Sequence, residues 1–214
     1  MKKYTTVLFD MDGVLINSEP VYINRLKQFF NLNNIAYKDD EFNYIVGNTP
    51  KNYDDFVKST WARSRDIKEY LKAQREFYKL YGEIDYKKIL FPNVLSTIKS
   101  LADNNFILGL ASSSPSKDVE SMLNQTGLAK YLCNYLTSDD VIETKPNPQI
   151  YIDLMKKLSV NSESVLIVED SYFGIMAGKN AGADVAAIAC KDFMQDQSFA
   201  DYIIKDVSEI LNFI

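Results

Sequence analysis

The stretch FDMDGVLINSEP covers residues 9–20 and closes the apolar run YTTVLF of residues 4–9. The apolar run has the composition of a buried β-strand, and two aspartates, Asp10 and Asp12, come directly after it. In an extended chain, a spacing of two residues points both side chains to the same side. Because two carboxylates held close together repel each other, this strand end needs a compensating positive charge.

The rest of the chain predicts an α/β fold. Apolar runs such as ILGLA and VLIV lack polar alternation, which is typical of strands covered on both faces. Helical patterns lie between these runs and favour βαβ units, so we expect a Rossmann-like parallel sheet. The predicted strands are residues 4–9, 106–111, 131–137, 164–169, 184–189 and 202–204, and the predicted core helices are residues 117–124, 148–158 and 172–181.

Residues 17–88 have a different character, since they hold most of the tyrosines and many charges but no strand pattern. Amphipathic patterns in this segment predict four helices. We therefore expect a catalytic core of residues 1–16 plus 89–214, with an α-helical domain of residues 17–88 inserted into it. The four predicted helices are residues 21–32, 40–46, 52–62 and 67–81.

Composition narrows the functional classes. The chain has 214 residues and a net charge of −5, with no run of four or more Lys or Arg, so we expect no nucleic-acid partner. No apolar run approaches the ~20 residues of a membrane helix, and no signal-peptide pattern is visible, so we expect a cytoplasmic protein that does not bind membranes. The chain has no histidine, which excludes His-based triads. Cys133 and Cys190 lie in apolar stretches and are predicted to be buried.

Polar side chains come at or after the carboxyl ends of four predicted strands. In an open parallel sheet, ligands bind at this edge, so we expect these side chains to form one site. In chain order they are Asp10 and Asp12, residues 112–114, Lys145, and the pair Glu169 and Asp170.

Four carboxylates at one edge are costly without a cation, and Mg²⁺ is a natural hard ion for such ligands. Lys145 and the Ser112 hydroxyl are donors suited to phosphate oxygens. A carboxylate beside Mg²⁺ can attack phosphorus and form an aspartyl-phosphate. The residue types therefore predict magnesium-dependent phosphoryl transfer.

These motifs resemble those of the haloacid dehalogenase superfamily of phosphohydrolases, over essentially the whole chain. The first family motif, D-x-D-G-[TV], corresponds to DMDGV at residues 10–14. Ser112 matches the second motif, Lys145 in KPNP the third, and EDS at residues 169–171, followed by Gly174 and Ala177, the fourth. The inserted segment occupies the position of the family's helical cap.

The resemblance implies roles for the site residues. Asp10 would be the nucleophile, and Asp12 would protonate the leaving group and then activate water. Mg²⁺ would be bound by Asp10, the backbone carbonyl of Asp12, Asp170, and Glu169 directly or through water. The implied phosphate-binding residues are Ser112, Ser113 and Lys145.

The cap is expected to recognise the substrate, and the candidate contacts are Glu19, Tyr22, Asn48, Thr49 and Lys51. Tyr22 is equally compatible with packing inside the cap. We predict a monomeric phosphatase acting on a small phosphorylated metabolite such as a sugar phosphate.

Two other functions stay open. One is a β-phosphoglucomutase-like mutase. The mutases of this family typically carry a His in the helix after the first motif and an Arg in the cap loop, whereas this chain has Tyr22 and Pro50 near these positions and no His, so this function is disfavoured. The other is a non-enzymatic phosphoacceptor domain. Taken singly, the motifs also have structural interpretations, such as capping of the following helix by Ser114 or Ser116.

Overall fold

The computed structural model describes residues 3–45, 50–80, 83–189 and 196–214. Their strands form one six-stranded sheet in which every hydrogen-bonded pair is parallel, in the order β3-β2-β1-β4-β5-β6. This arrangement confirms the predicted Rossmann-like sheet. The strands are β1 (Thr6–Phe9), β2 (Ile107–Ala111), β3 (Asn134–Leu136), β4 (Val165–Glu169), β5 (Asp184–Ile188) and β6 (Tyr202–Ile204).

Strand β1 lies in the middle of the sheet because its four residues, TVLF, are all buried. Its register aligns Phe9 with Leu110 of β2 and with Val168 of β4. The backbone N–H of Asp10 still donates to the carbonyl of Val168, at 3.0 Å. Asp10 therefore stands at the carboxyl edge, level with the last residues of both neighbouring strands.

Helices connect the strands of the core, and the core helices are α4 (Tyr86–Ile89), α5 (Val94–Asp103), α6 (Ser116–Thr126), α7 (Gln149–Leu158) and α8 (Tyr172–Asn180). Helix α7 buries the side chains of Ile150, Tyr151, Leu154 and Met155. These side chains belong to an apolar cluster with residues of the sheet and of α8. Short 3₁₀ turns are found at Leu128–Tyr131, Ser138–Asp140, Ser162–Ser164 and Val207–Asn212.

The inserted segment is helical, with α1 (Glu19–Leu32), α2 (Pro50–Ala62) and α3 (Ile67–Leu80). Its interior is largely aromatic, since Phe29 stacks on Trp61 with ring centroids 5.5 Å apart and meets Phe77 edge to face at 5.2 Å. Aromatic pairs of this geometry add to the stabilisation from apolar burial. The insert therefore has an apolar core of its own.

The chain divides into two compact units, Met1–Asn17 with Tyr86–Ile214, and Ser18–Asp85. These boundaries lie within three residues of those expected from the sequence. Among the described residues, no helix is both long enough and apolar enough to cross a membrane.

Some details of the sequence prediction were wrong, and others concern residues outside the described ranges. The helix expected at residues 40–46 is a 3₁₀ turn, Asp39–Tyr44, and residue 46 is outside the described residues. Residue 81, the last residue of the fourth predicted insert helix, is also outside them. Cys133 is exposed, so the prediction that it is buried was wrong. It precedes β3 in a connecting segment, where apolar neighbours do not ensure burial. Cys190 lies outside the described residues.

We predict that Phe29→Ala lowers the free energy of unfolding of the insert by about 3–5 kcal/mol, because Phe29 is 3% exposed and the substitution leaves a cavity in the aromatic core. Trp61 is the only tryptophan of the chain and stacks on Phe29, so its fluorescence during urea unfolding is the measurement. The matched control is Leu32→Ala on the same helix, where Leu32 is 66% exposed and a change below about 0.5 kcal/mol is expected. Equal losses in both variants would contradict the assignment of this core.

Candidate active site

The turn after β1 is shaped by a glycine. Gly13 has φ +76°, in the left-handed region that glycine adopts without strain, and its N–H donates to the carbonyl of Ile16 at 2.9 Å. A Cβ at Gly13 would overlap the carboxylate of Asp170. Glycine at this position therefore allows the turn that carries Asp12 to approach the end of β4.

Lys145 is the centre of the site. Its ammonium nitrogen Nζ lies 2.5 Å from Oδ1 of Asp10 and 2.6 Å from Oε1 of Glu169, and it donates to the carbonyl of Ala111 at 3.0 Å. Lys145 and Asp10 are only 6% and 7% exposed, and Glu169 is fully buried. Lys145 therefore joins the carboxyl ends of β1, β2 and β4. It provides the compensating positive charge that the sequence predicted for the strand end with Asp10 and Asp12.

Glu169 has a second partner that sequence reasoning missed. The hydroxyl of Tyr151 on α7 donates to the same atom, Oε1 of Glu169, at 2.6 Å, and Nζ of Lys145 lies 4.9 Å from the centroid of the Tyr151 ring. Gly174 provides the space, because a Cβ there would overlap the Glu169 carboxylate. The apolar pattern of α7 could place Tyr151 on the buried face, but no sequence signal identifies its hydroxyl as a partner of Glu169.

Burial and charge shape the ionisation of this cluster. Burial raises the pKa of Asp10 to about 8, although the neighbouring Lys145 ammonium acts to lower it. Burial disfavours charge on Lys145, but Asp10 and Glu169 outweigh it and hold the pKa of Lys145 well above its ordinary value. Burial, assisted by the negative charge of Glu169, raises the pKa of Tyr151 well above its ordinary value, so its hydroxyl keeps its proton and donates.

A second hydrogen-bond group connects β2 with the turn after β1. The N–H of Ser114 donates to the hydroxyl oxygen of Ser112 at 3.0 Å, and the hydroxyl of Ser114 donates to Oδ2 of Asp12 at 2.7 Å. Helix α6 begins at Ser116, and its N-cap, Pro115, makes no side-chain capping bond. The alternative in which Ser114 or Ser116 caps this helix is therefore wrong. Ser113 follows Ser112 in the loop and is half-buried.

Three carboxylates lie close enough to share a metal ion. Asp10, Glu169 and Asp170 each offer one oxygen, and these three atoms lie within 4.8 Å of one another. Carboxylate oxygens suit a hard divalent cation. Gln197, which sequence reasoning also missed, donates from Nε2 to the backbone carbonyl of Asp170 at 2.6 Å and so holds the backbone beside this cluster.

The candidate substrate contacts belong to the insert. Glu19 and Tyr22 are half-buried on α1, and Lys51 is exposed on α2. Asn48 and Thr49 lie outside the described residues. The roles of all five in substrate binding stay predictions.

Comparison with known proteins identifies the family. Residues 7–188 match the family described as haloacid dehalogenase-like hydrolase. The chain belongs to this family. It is a phosphoric monoester hydrolase of the haloacid dehalogenase type, which confirms the resemblance noted in the sequence.

Three relatives of this hydrolase span most of its length. Pyrophosphatase PpaX of Oceanobacillus iheyensis is 30% identical over 98% of this chain and 96% of its own. Phosphoglycolate phosphatase of Vibrio parahaemolyticus is 33% identical over 82% of this chain and 79% of its own. The crystal structure of a protein described as a predicted phosphoglycolate phosphatase from Haemophilus somnus has a TM-score of 0.87 and 25% identity, and the match covers 99% of this chain and 98% of that one.

We predict that Tyr151→Phe lowers the free energy of unfolding of the hydrolase by about 1.5–3 kcal/mol, because it removes a buried hydrogen bond to the charged Glu169. The measurement is urea unfolding followed by circular dichroism. Tyr135→Phe is the matched control, because its hydroxyl contacts Glu120 at an exposed site and its loss should cost less than about 0.5 kcal/mol. A Tyr151→Phe protein as stable as the control would refute the importance of this bond.

Proposed function

We propose that this hydrolase is a magnesium-dependent phosphatase that acts on a small phosphorylated metabolite through an aspartyl-phosphate on Asp10. The observation that carries the proposal is the placement of Lys145 on Asp10, at the carboxyl edge of the sheet where Ser112 and Asp12 also lie. A nucleophilic carboxylate, a cation for the phosphate charge and a second carboxylate for proton transfer are the groups this reaction needs.

The reaction has two steps. A carboxylate oxygen of Asp10 attacks phosphorus, so that an O–P bond forms while the bond from phosphorus to the leaving oxygen breaks. The electron pair goes to the leaving oxygen, which takes a proton from Asp12. Water then attacks the aspartyl-phosphate and gives a proton to Asp12, and inorganic phosphate leaves as Asp10 is regenerated.

Phosphate binding is assigned to Ser112, Ser113 and Lys145. The Ser112 oxygen already accepts from the N–H of Ser114. A serine hydroxyl has a single hydrogen, and Ser112 can direct this hydrogen to a phosphate oxygen while it keeps that bond. The Lys145 ammonium already donates to Asp10, Glu169 and the Ala111 carbonyl, and its positive charge would also offset negative charge on the phosphoryl group.

The carboxylate cluster fits a divalent cation, and we assign this cation as Mg²⁺. Three carboxylates within 4.8 Å, with one buried ammonium among them, carry excess negative charge that a cation would compensate. Asp10, Asp170 and the backbone carbonyl of Asp12 would hold it. Because Oε1 of Glu169 is already bound by Lys145 and Tyr151, we assign Glu169 to the cation through water. When bound, the cation supplies charge stabilisation for the transferred phosphoryl group.

The names of the relatives support a small phosphorylated substrate, since two are phosphatases of phosphoglycolate by name and one is a pyrophosphatase. We propose that the insert, Ser18–Asp85, acts as the cap that selects this substrate, with Glu19, Tyr22, Asn48, Thr49 and Lys51 as contacts. The expectation of a cytoplasmic monomer without nucleic-acid or membrane partners stays a prediction.

Phosphate release with Mg²⁺ from sugar phosphates, nucleotides, phosphoglycolate and pyrophosphate is the direct test. We expect release from at least one small monoester, and complete loss of it in Asp10→Asn with the circular dichroism spectrum unchanged. Asp153→Asn, which removes a surface carboxylate paired with Lys156, is the control and should keep full activity. Near-normal activity of Asp10→Asn would disprove the mechanism. Interconversion of sugar phosphates that depends on a sugar bisphosphate, with little release, would instead identify a mutase.

Mg²⁺ should also stabilise the folded protein, because it binds the carboxylate cluster of the native state alone. At about 100 times its dissociation constant it should add about 2.7 kcal/mol, a rise on the order of 5–10 °C in the thermal midpoint. Asp170→Asn should lose most of this rise, whereas Asp153→Asn should keep it. An undiminished rise in Asp170→Asn would place the cation elsewhere.

A further inference from the structure

We propose that Ser114 is a positioning residue that holds the carboxylate of Asp12 for proton transfer, an inference that rests on the proposed function. The two residues are 102 positions apart, yet the Ser114 hydroxyl donates to Oδ2 of Asp12 at 2.7 Å. A hydrogen bond from a hydroxyl to a carboxylate at this distance is short and charge-assisted. It restricts rotation of the Asp12 carboxylate and so fixes the plane in which a proton is given or taken.

The backbone of Ser114 is held on both sides, which makes it a suitable anchor. Its N–H donates to the hydroxyl oxygen of Ser112 at 3.0 Å, and its carbonyl accepts from the N–H of Ser138 at 3.1 Å. The position of the hydroxyl therefore follows from the ends of β2 and β3, not from the turn that carries Asp12. The carboxylate of Asp12, which lies on a turn, is therefore held by a residue whose backbone is anchored at the ends of two strands.

Ser114 contacts two residues that we assign to the reaction, Ser112 and Asp12. Through its N–H, Ser114 orients Ser112, which we assign to the phosphate, and through its hydroxyl it orients Asp12. Small errors in the placement of a reacting group are costly in rate, because a bound reaction depends on near-attack geometry. The serine thus links the position of the phosphate with that of the acid that protonates the leaving oxygen.

The alternative is a purely structural serine. Capping of α6 does not account for Ser114, since that helix begins at Ser116 and its N-cap is Pro115. A structural role would also affect every substrate equally. A role through Asp12 affects only those substrates whose leaving oxygen must be protonated, and the two roles therefore differ in their leaving-group dependence.

The test compares kcat/KM for phenyl phosphate and 2,4-dinitrophenyl phosphate, which reports on the steps through phosphoryl transfer to Asp10. Phenolate is basic and leaves with a proton, whereas dinitrophenolate leaves without one. We expect Ser114→Ala to lower kcat/KM about tenfold for phenyl phosphate and to leave it within about twofold for the dinitrophenyl ester. Ser114→Thr retains a hydroxyl and should restore most of the loss.

Two further variants sharpen the result. Ser116→Ala, in the same loop, removes a hydroxyl that contacts Thr137 at 2.8 Å and should leave both substrates unaffected. In an Asp12→Asn background, Ser114→Ala should cause no additional loss on phenyl phosphate, because it acts through Asp12. An equal loss on both esters, or no loss on either, would overturn the inference while the phosphatase proposal stands. Failure of the wild-type protein to release phosphate from any monoester would overturn both.

Discussion

The contact of Lys145 with Asp10 and Glu169 is the interaction on which the site depends. It brings three ionisable groups into the protein interior at the carboxyl ends of three strands, and the ammonium also donates to the Ala111 carbonyl. Removing one member of a buried ion pair leaves the other charge uncompensated, which is strongly destabilising. The contacts of Lys145 therefore belong both to the site and to the carboxyl edge of the sheet.

The carboxylates of this site are tightly packed. Gly13 and Gly174 leave room where a Cβ would overlap the carboxylates of Asp170 and Glu169, respectively. Tyr151 closes the cluster from helix α7 with both a hydrogen bond and the face of its ring. Close packing keeps the carboxylates near one another despite their repulsion, and this proximity makes the site suitable for a cation. The close approach of the carboxylates therefore depends on glycine at positions 13 and 174.

The two compact units differ in the contacts that hold them together. The core carries the carboxylates, the ammonium and the serines, and every hydrogen bond described between them is made within this unit. The insert is stabilised separately by aromatic packing around Phe29 and Trp61. An insert with its own core can vary its surface without disturbing the carboxylate cluster, in keeping with our proposal that it selects the substrate. The same division explains why the sequence is informative about chemistry and far less so about the substrate.

The sequence by itself determined the α/β class, the strands and the four motif-bearing strand ends, because apolar runs and their polar termini are local patterns. Asp10, Lys145 and Glu169 could be placed at one edge, since all carboxyl ends of a parallel sheet share it. Only the tertiary structure revealed the contacts of Tyr151 with Glu169 and of Ser114 with Asp12. These contacts join residues that are 18 and 102 positions apart, and they depend on strand order and register. Periodicity shows which face of a helix is buried. It does not show which atom a side-chain hydroxyl on that face, such as that of Tyr151, will contact.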